Sequence, residues 1–211
     1  EDSRDLTRYT SYPTALQFSG AVGAVEAAGW ASAVGPDDTL SLYIHVPFCE
    51  QLCWYCGCHT TVPNGYDRVA GFAAALEAET HLWEAALGPH AGVSHLHFGG
   101  GSPNALKPED FGRLMRRLNE GFQFRPEAEL AVELDPRALT QGFIDAMQAG
   151  GVNRASLGVQ TFDPAVQAKV NRIQPLEMIA WATEALRAGG AQGLNFDLMY
   201  GLPGQTFDDL E

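Results

Sequence analysis

The chain has no cysteine over most of its length. All four cysteines of the 211-residue sequence lie between Cys49 and Cys58. Isolated cysteines are often small core residues, whereas thiols crowded into one short stretch need a common explanation. A chain of this size can also bury a sizeable core without disulfides. Residues 49–58 are therefore the first candidate for a functional site.

Basic residues are scarce as well. Lysine and arginine number 13 against 26 aspartate and glutamate residues, so the formal net charge is −13. Such a chain should repel nucleic acid phosphates and anionic membrane surfaces. No basic stripe interrupts this acidity, and we expect no nucleic acid partner.

Long apolar runs and a signal peptide are missing too. No run approaches the roughly 18 apolar residues that a membrane span needs. The opening residues Glu1-Asp-Ser-Arg-Asp5 lack the basic and then apolar pattern of a secretory signal. These features predict no membrane span and a cytoplasmic location.

Both ends of the chain suggest a longer protein. The sequence begins at Glu1 without an initiator methionine. Near the other end, Thr206 is a plausible helix N-cap, and acidic residues typical of a first helical turn follow it. We therefore expect these residues to be part of a larger polypeptide.

Strand and helix patterns alternate from residue 40 onward. Strands are predicted at 40–46, 93–98, 129–134, 154–159 and 193–200, and helices at 66–87, 108–118, 140–149, 164–170 and 176–188. This order predicts an α/β fold in which helices cover a parallel sheet. The sheet could close as a barrel or stay open as a doubly wound sheet. Residues 1–39 have no clear period beyond a weak helix at 21–33, and are interpreted as an N-terminal arm on a main domain at 40–211.

Polar and glycine-rich sequence follows each predicted strand, where parallel α/β folds bind their ligands. Gly99-Gly-Gly-Ser102 could be a turn or a close approach of the backbone to a ligand. Glu133 could be a solvated strand end or the partner of a positively charged ligand.

Three further side chains have two interpretations each. Gln160 could cap a strand end, or donate to and accept from a ligand through its amide. Arg172 could be an ordinary surface residue or grip a carboxylate bidentately. Asp197 lies within an apolar strand, where a carboxylate is costly unless it has a partner.

Three chemistries could explain the cysteine stretch. A disulfide framework is disfavoured by the missing signal peptide. Structural zinc usually needs two Cys-x-x-Cys knuckles or a Cys/His pair further on, whereas here only Cys53–Cys56 forms a knuckle and His59 is the nearby imidazole. Three thiolates spaced as Cys49-x3-Cys53-x2-Cys56 could hold three irons of a [4Fe–4S] cluster and leave the fourth open. Cys58 could be a fourth ligand, a free thiol or a turn residue.

The spacing Cys-x3-Cys-x2-Cys after a first strand resembles the signature of the radical S-adenosylmethionine (SAM) enzymes. Within that superfamily the chain resembles the oxygen-independent coproporphyrinogen III oxidases, whose proteins are longer. The resemblance rests on Tyr9-Thr-Ser-Tyr-Pro-Thr-Ala-Leu16, Tyr43-Ile-His-Val-Pro-Phe-Cys49, Cys56-Gly-Cys58, Gly99-Gly-Gly-Ser-Pro103, Val132-Glu-Leu-Asp-Pro136, Gly158-Val-Gln160 and Asn195-Phe-Asp-Leu-Met-Tyr-Gly-Leu-Pro203.

This resemblance implies an incomplete parallel (β/α) barrel of radical SAM type with an N-terminal arm. It implies that Cys49, Cys53 and Cys56 bind a [4Fe–4S] cluster, and that a second SAM binds near the first. Threonine is commoner in the family where this chain has Ser102. The residues that match SAM-contacting positions of the family are Tyr43, Tyr55, Gly100, Gly101, Ser102, Glu133, Gln160, Arg172 and Asp197.

The implied reaction begins when an electron from the cluster cleaves SAM to methionine and a 5′-deoxyadenosyl radical. The radical abstracts a propionate hydrogen from coproporphyrinogen III, and loss of carbon dioxide and one electron leaves a vinyl group; two rounds give protoporphyrinogen IX. An electron donor of unknown identity and a monomeric enzyme are expected. The alternative is a heme-binding chaperone on the same scaffold. Those relatives typically lack the Cys56-Gly-Cys58 ending and the N-terminal arm, so their presence here favours the oxidase.

Overall fold

We describe a computed structural model of the chain over residues 14–210. The features predicted for the arm at residues 1–13 lie outside this range. Three-residue 3-10 turns occur at Ala15–Gln17, Pro103–Ala105, Pro136–Ala138 and Asp208–Leu210. The described helices and strands are, in chain order, α1 (Ala24–Ser32), β1 (Leu40–Val46), α2 (Asp67–Ala86), β2 (Val93–Gly100), α3 (Pro108–Phe122), β3 (Phe124–Leu134), α4 (Gln141–Ala149), β4 (Arg154–Gln160), α5 (Pro164–Lys169), α6 (Leu176–Ala188) and β5 (Gly193–Leu198).

The five strands form one parallel sheet in the order β1-β2-β3-β4-β5. Ile44 pairs with Phe98, and Phe98 pairs with Val132, so neighbouring strands stay in step. A doubly wound sheet reverses its strand order at a switch point, whereas a barrel wall adds each strand beside the last. The sequential order therefore confirms the α/β fold and supports the barrel wall over the open sheet.

The two faces of the sheet differ because successive residues of a strand point to opposite sides. Leu96, Phe98 and Leu157 are at most 1% exposed and belong to the core beneath the helices. Their strand neighbours His97, Gly158 and Ser156 belong to the opposite face, which is largely polar. The sheet thus presents one apolar face to the helices and one polar face to the inside of the barrel wall.

Aromatic packing holds α3 and α4 on the sheet. The ring of Phe111 lies between Phe98 and Phe143, with centroid separations of 5.2 and 4.7 Å. Helix α3 begins with Pro108, whose missing N–H costs nothing at a first helical turn, and Glu109 complements the positive end of the helix dipole. Its apolar side then points to the core.

Ile144 of α4 offers a test of this core, because it is 1% exposed. Ile144→Val should lower the free energy of unfolding by about 0.5–1.5 kcal/mol, the usual cost of deleting one buried methylene. Urea unfolding followed by circular dichroism measures the change. Ile173→Val is the matched control, since Ile173 is 55% exposed and surface substitutions usually stay within about 0.5 kcal/mol. Equal effects at both positions would contradict the core assignment.

Several element boundaries differ from the prediction, and the differences with a clear physical reason are at β3 and near Thr206. Strand β3 begins at Phe124, not at 129. The pairing jumps from Val93–Phe124 to His95–Glu129, so residues 125–128 bulge out of register, and the proline there weakened the strand pattern. The helix predicted near Thr206 is a short 3-10 turn at Asp208–Leu210, with the Thr206 N–H donating to the Asp209 carboxylate.

Within residues 14–210, no helix is both long enough and apolar enough to cross a bilayer. The longest described helix, α2, has 20 residues but includes several charged side chains.

Candidate functional site

The loops after β1 and β2 meet at one edge of the sheet. Val46, the last residue of β1, pairs with Gly100 of β2. The N–H of Gly101 donates to the Val46 carbonyl at 2.8 Å, and the N–H of Ser102 donates to the Phe48 carbonyl at 2.7 Å. Because parallel strands end at the same edge, the cysteine loop and the glycine loop become neighbours.

A cavity of about 200 Å³ lies at this edge. Its walls come from the cysteine loop and from the ends of the later strands. Residues that were not predicted as site residues form part of the lining: Gln51, Leu52, Cys58, Thr60, Leu134, Asp135, Arg137, Ser156 and Gly158. The predicted site residues that line it are Cys49, Cys53, Tyr55, Cys56, Gly100, Gly101, Glu133, Gln160, Arg172 and Asp197.

Tyr43 and Ser102 are the predicted site residues that do not line this cavity. The Tyr43 hydroxyl lies 3.1 Å from His45 Nδ1, and its ring stacks on His97 with centroids 5.9 Å apart. Ser102 is 2% exposed and donates to Asn104 Oδ1 at 2.6 Å. Asn104 in turn bonds to the Asp135 backbone. Ser102 therefore connects the glycine loop to the end of β3 through Asn104. Contacts of either residue with a cofactor stay predictions.

The glycine loop is tightly packed against the cysteine loop. A Cβ on Gly101 would lie 2.4 Å from Thr60 Oγ1 and 2.6 Å from the Phe48 carbonyl oxygen. Gly100 has a φ of +112°, and its Cβ would lie 2.7 Å from the His45 ring. These glycines are thus required for the loops to approach each other, whether or not a ligand binds there.

All four cysteines are free thiols and none is in a disulfide. The Cys49 sulfur accepts from Thr60 Oγ1 at 3.2 Å, and the Cys56 sulfur accepts from the Cys58 N–H at 3.4 Å. In the described part of the chain, no group of three or more Cys, His, Asp or Glu residues is arranged to hold a single metal ion. Three ligands of a [4Fe–4S] cluster bind three different irons, so they do not share one coordination sphere. Three soft thiol ligands on one loop around one cavity fit such a cluster.

The surroundings of two of the cysteines, Cys49 and Cys58, disfavour the thiolate form. Burial raises the pKa of Cys49 above its ordinary value. Partial desolvation, together with the neighbouring Cys56, raises the pKa of Cys58 to about 11. Because metals bind thiolates, loading iron onto Cys49 would release its proton.

Cys53 lies beside two arginines. Its sulfur accepts from Arg172 Nη1 at 3.2 Å and from Arg137 Nη2 at 3.4 Å. Asp135, only 11% exposed, binds Arg137 at 2.6 Å and Arg172 at 3.5 Å. Burial by itself would raise the pKa of Asp135, but these arginines outweigh it and hold the pKa below its ordinary value. Arg137 was not predicted as a site residue, although its position just after β3 is the signal that singled out Glu133.

Two residues at the cavity edge have left-handed backbone conformations. Gln160 has a φ of 69° and Asn171 a φ of 58°. Such conformations are strained for residues other than glycine, and persist where surrounding contacts impose them. Asn171 accepts from Gln51 at 2.8 Å and donates to the Leu52 carbonyl at 2.8 Å, which ties the cysteine loop to the end of α5.

The carboxylates of the cavity have polar partners. Glu133 Oε1 lies 2.9 Å from His97 Nε2. Asp197 Oδ2 accepts from the Ser156 hydroxyl at 3.1 Å. Asp197 is exposed in the described structure, so the argument from a buried carboxylate was wrong for this residue. It lies instead on the polar face of the sheet. Carboxylates and guanidinium groups that line the same cavity suit a ligand that carries both charges.

The chain matches the family model of the radical SAM superfamily over residues 43–211. It is 49% identical to the oxygen-independent coproporphyrinogen III oxidase of Bradyrhizobium diazoefficiens, over 95% of this chain and 45% of that protein. It is 44% identical to the enzyme of the same name from Escherichia coli, over 94% of this chain and 43% of that protein. The chain thus spans about half the length of the curated relatives it matches.

Solved structures agree with this family. Coproporphyrinogen III oxidase (HemN) from Escherichia coli superposes with a TM-score of 0.88 at 42% identity, covering 96% of this chain and 46% of that one. The methyltransferase TsrM of Kitasatospora setae shares the fold alone, with a TM-score of 0.52 at 16% identity over 81% of this chain and 33% of that one. Because the family match extends over residues 43–211, which is well over half of the sequence, the chain belongs to the radical SAM superfamily.

Proposed function

We propose that this chain is the cofactor-binding part of an oxygen-independent coproporphyrinogen III oxidase. The reaction converts two propionates of coproporphyrinogen III to vinyl groups and gives protoporphyrinogen IX. The observation that carries this proposal is the three-cysteine loop facing a charged cavity. The identity to relatives named for this activity, 49% and 44%, supports it.

In this proposal Cys49, Cys53 and Cys56 bind a [4Fe–4S] cluster. Their placement on one loop around a shared cavity supports the assignment. When bound, the cluster and SAM supply the one-electron chemistry of the reaction. The protein's residues hold these groups in place and shield them.

The charge distribution of the cavity suits SAM, which carries a sulfonium, an ammonium and a carboxylate. Glu133 and Asp197 can pair with its positive groups, and Arg172 with its carboxylate. The backbone of Gly100 and Gly101 allows a ligand to approach closely. Gln160, Ser102, Tyr43 and Tyr55 complete the proposed contacts, and a second SAM is proposed beside the first.

Further features belong to the proposal for the whole protein: a reducing electron donor, a monomeric state and a cytoplasmic location. The substrate carries four carboxylates, whereas this chain has a net charge of −13. Arg137 and Arg172 are engaged with Asp135 and Cys53. We therefore expect other cationic groups to bind the substrate carboxylates.

The test is an anaerobic assay of the full-length protein after iron–sulfur reconstitution. With SAM, a reductant and coproporphyrinogen III, chromatography should reveal protoporphyrinogen IX, and omission of SAM should abolish it. Tight heme binding without a vinyl product would refute the oxidase and indicate the heme-binding chaperone.

A further inference from the structure

The three cysteines predicted to bind the cluster differ in their hydrogen-bond donors. Cys49 accepts from the neutral Thr60 hydroxyl, and Cys56 from the backbone N–H of Cys58. Cys53 instead accepts from two guanidinium groups, those of Arg137 and Arg172, at 3.4 and 3.2 Å. Positive charge is therefore concentrated at one of the three sulfurs.

Arg137 is held firmly in this position. Its Nε donates to Asp135 Oδ1 at 3.0 Å and its Nη2 to Asp135 Oδ2 at 2.6 Å, a two-pronged contact. Its Nη1 also donates to the Asn171 carbonyl at 3.2 Å. Both side chains of the pair are almost buried, at 12% and 11% exposure. Desolvation lowers the pKa of Arg137, but Asp135 outweighs this and keeps the pKa above its ordinary value.

Arg172 is held less firmly by Asp135 than Arg137 is. It is among the residues proposed to contact SAM, and it is farther from Asp135, at 3.5 Å. Arg137 has four protein partners, which are Gln51, Cys53, Asp135 and Asn171, and it is not one of the proposed SAM contacts. A bound SAM could therefore draw Arg172 away from Cys53 while Arg137 stays.

We propose that Arg137 is a positioning residue that raises the reduction potential of the cluster through its charged hydrogen bond to Cys53. This inference rests on the proposed cluster at Cys49, Cys53 and Cys56. Reduction adds negative charge to a cluster and its thiolates, and a nearby cation stabilises the reduced form more than the oxidised form. Hydrogen bonds from charged donors are also stronger than those from neutral ones.

The test is a redox titration of the reconstituted full-length protein, followed by electron paramagnetic resonance. Arg137→Gln should lower the equilibrium constant for one-electron reduction about tenfold, which is a shift of about 59 mV to more negative potential. Arg137→Lys keeps the charge but loses the planar fork, so its potential should fall between those of Arg137→Gln and the unaltered protein.

Arg117→Gln is the matched control. Arg117 is 15% exposed and pairs with Glu84 across α3 and α2, so its loss changes the net charge equally but away from the cysteine loop. Its potential should equal that of the unaltered protein.

Full iron content in Arg137→Gln with an unchanged potential would overturn the inference. If that variant loses its iron, Arg137→Lys decides: a more negative potential supports the inference and an unchanged one overturns it. Failure of the unaltered protein to assemble a cluster would refute the proposed function itself, which separates the two failures.

Discussion

Cys53→Ala should abolish the brown absorbance of the reconstituted [4Fe–4S] cluster and all formation of protoporphyrinogen IX. The substitution removes one of three proposed iron ligands. It also removes the sulfur that accepts from Arg137 and Arg172, which leaves two nearly buried guanidinium groups beside the single carboxylate of Asp135. An unbalanced buried charge is costly and should disturb the packing of the cysteine loop. We therefore expect Cys53→Ala to retain less of the cluster than the loss of one iron ligand would by itself explain. Visible absorption and iron analysis measure the effect.

Cys58→Ala is the control within the same loop. Cys58 is exposed, and it touches Cys56 through its backbone N–H, which alanine keeps. We expect this variant to keep its iron and its absorbance. Unchanged iron in Cys53→Ala would refute the ligand assignment. Loss of iron in Cys58→Ala would indicate that Cys58 is a fourth ligand.

The position of the site follows from the sequence because parallel strands impose it. Strand patterns before Cys49 and before Gly99 place both loops at one sheet edge, and the observed pairing of Val46 with Gly100 brings them into contact. The same rule gathers Glu133, Gln160 and Asp197 around one cavity. Chain order and strand period are local signals, so a single sequence is sufficient to predict them.

The direction of individual side chains could not be predicted in the same way. Ser102 follows the glycines as a ligand-binding hydroxyl would, yet its hydroxyl turns toward Asn104. Asp197 was singled out as a carboxylate that would need a partner within an apolar strand, and it is exposed and bonds to Ser156 of the neighbouring strand. Both outcomes depend on partners from other parts of the fold.

Arg137 was missed for the same reason. Its place in the site depends on a hydrogen bond to Cys53, a residue 84 positions earlier in the chain. In the sequence, Asp135-Pro-Arg137 resembles an ordinary strand stop and turn. Only the packed structure brings this arginine to the cysteine loop.

Gly101→Ala should lower kcat/KM of the proposed oxidase reaction by about 100-fold, because displacements of about 1 Å near a reacting centre have effects of that size. The new Cβ would lie 2.4 Å from Thr60 Oγ1 and 2.6 Å from the Phe48 carbonyl oxygen. The Thr60 side chain can rotate away, but the Phe48 carbonyl is backbone and accepts the Ser102 N–H at 2.7 Å. The glycine loop must therefore move relative to the cysteine loop. Equilibrium binding of SAM and steady-state kinetics measure the result.

Gly71→Ala separates this clash from a general effect of adding a methyl group. Gly71 lies in α2 with nothing within 4 Å of its ideal Cβ. Alanine there should stabilise the helix by up to about 1 kcal/mol and leave SAM binding unchanged. Overpacking at Gly101 should cost about 1–3 kcal/mol of folding stability. Full SAM affinity and turnover in Gly101→Ala would contradict the tight loop packing, because the loops would then tolerate a side chain where the structure leaves no space for one.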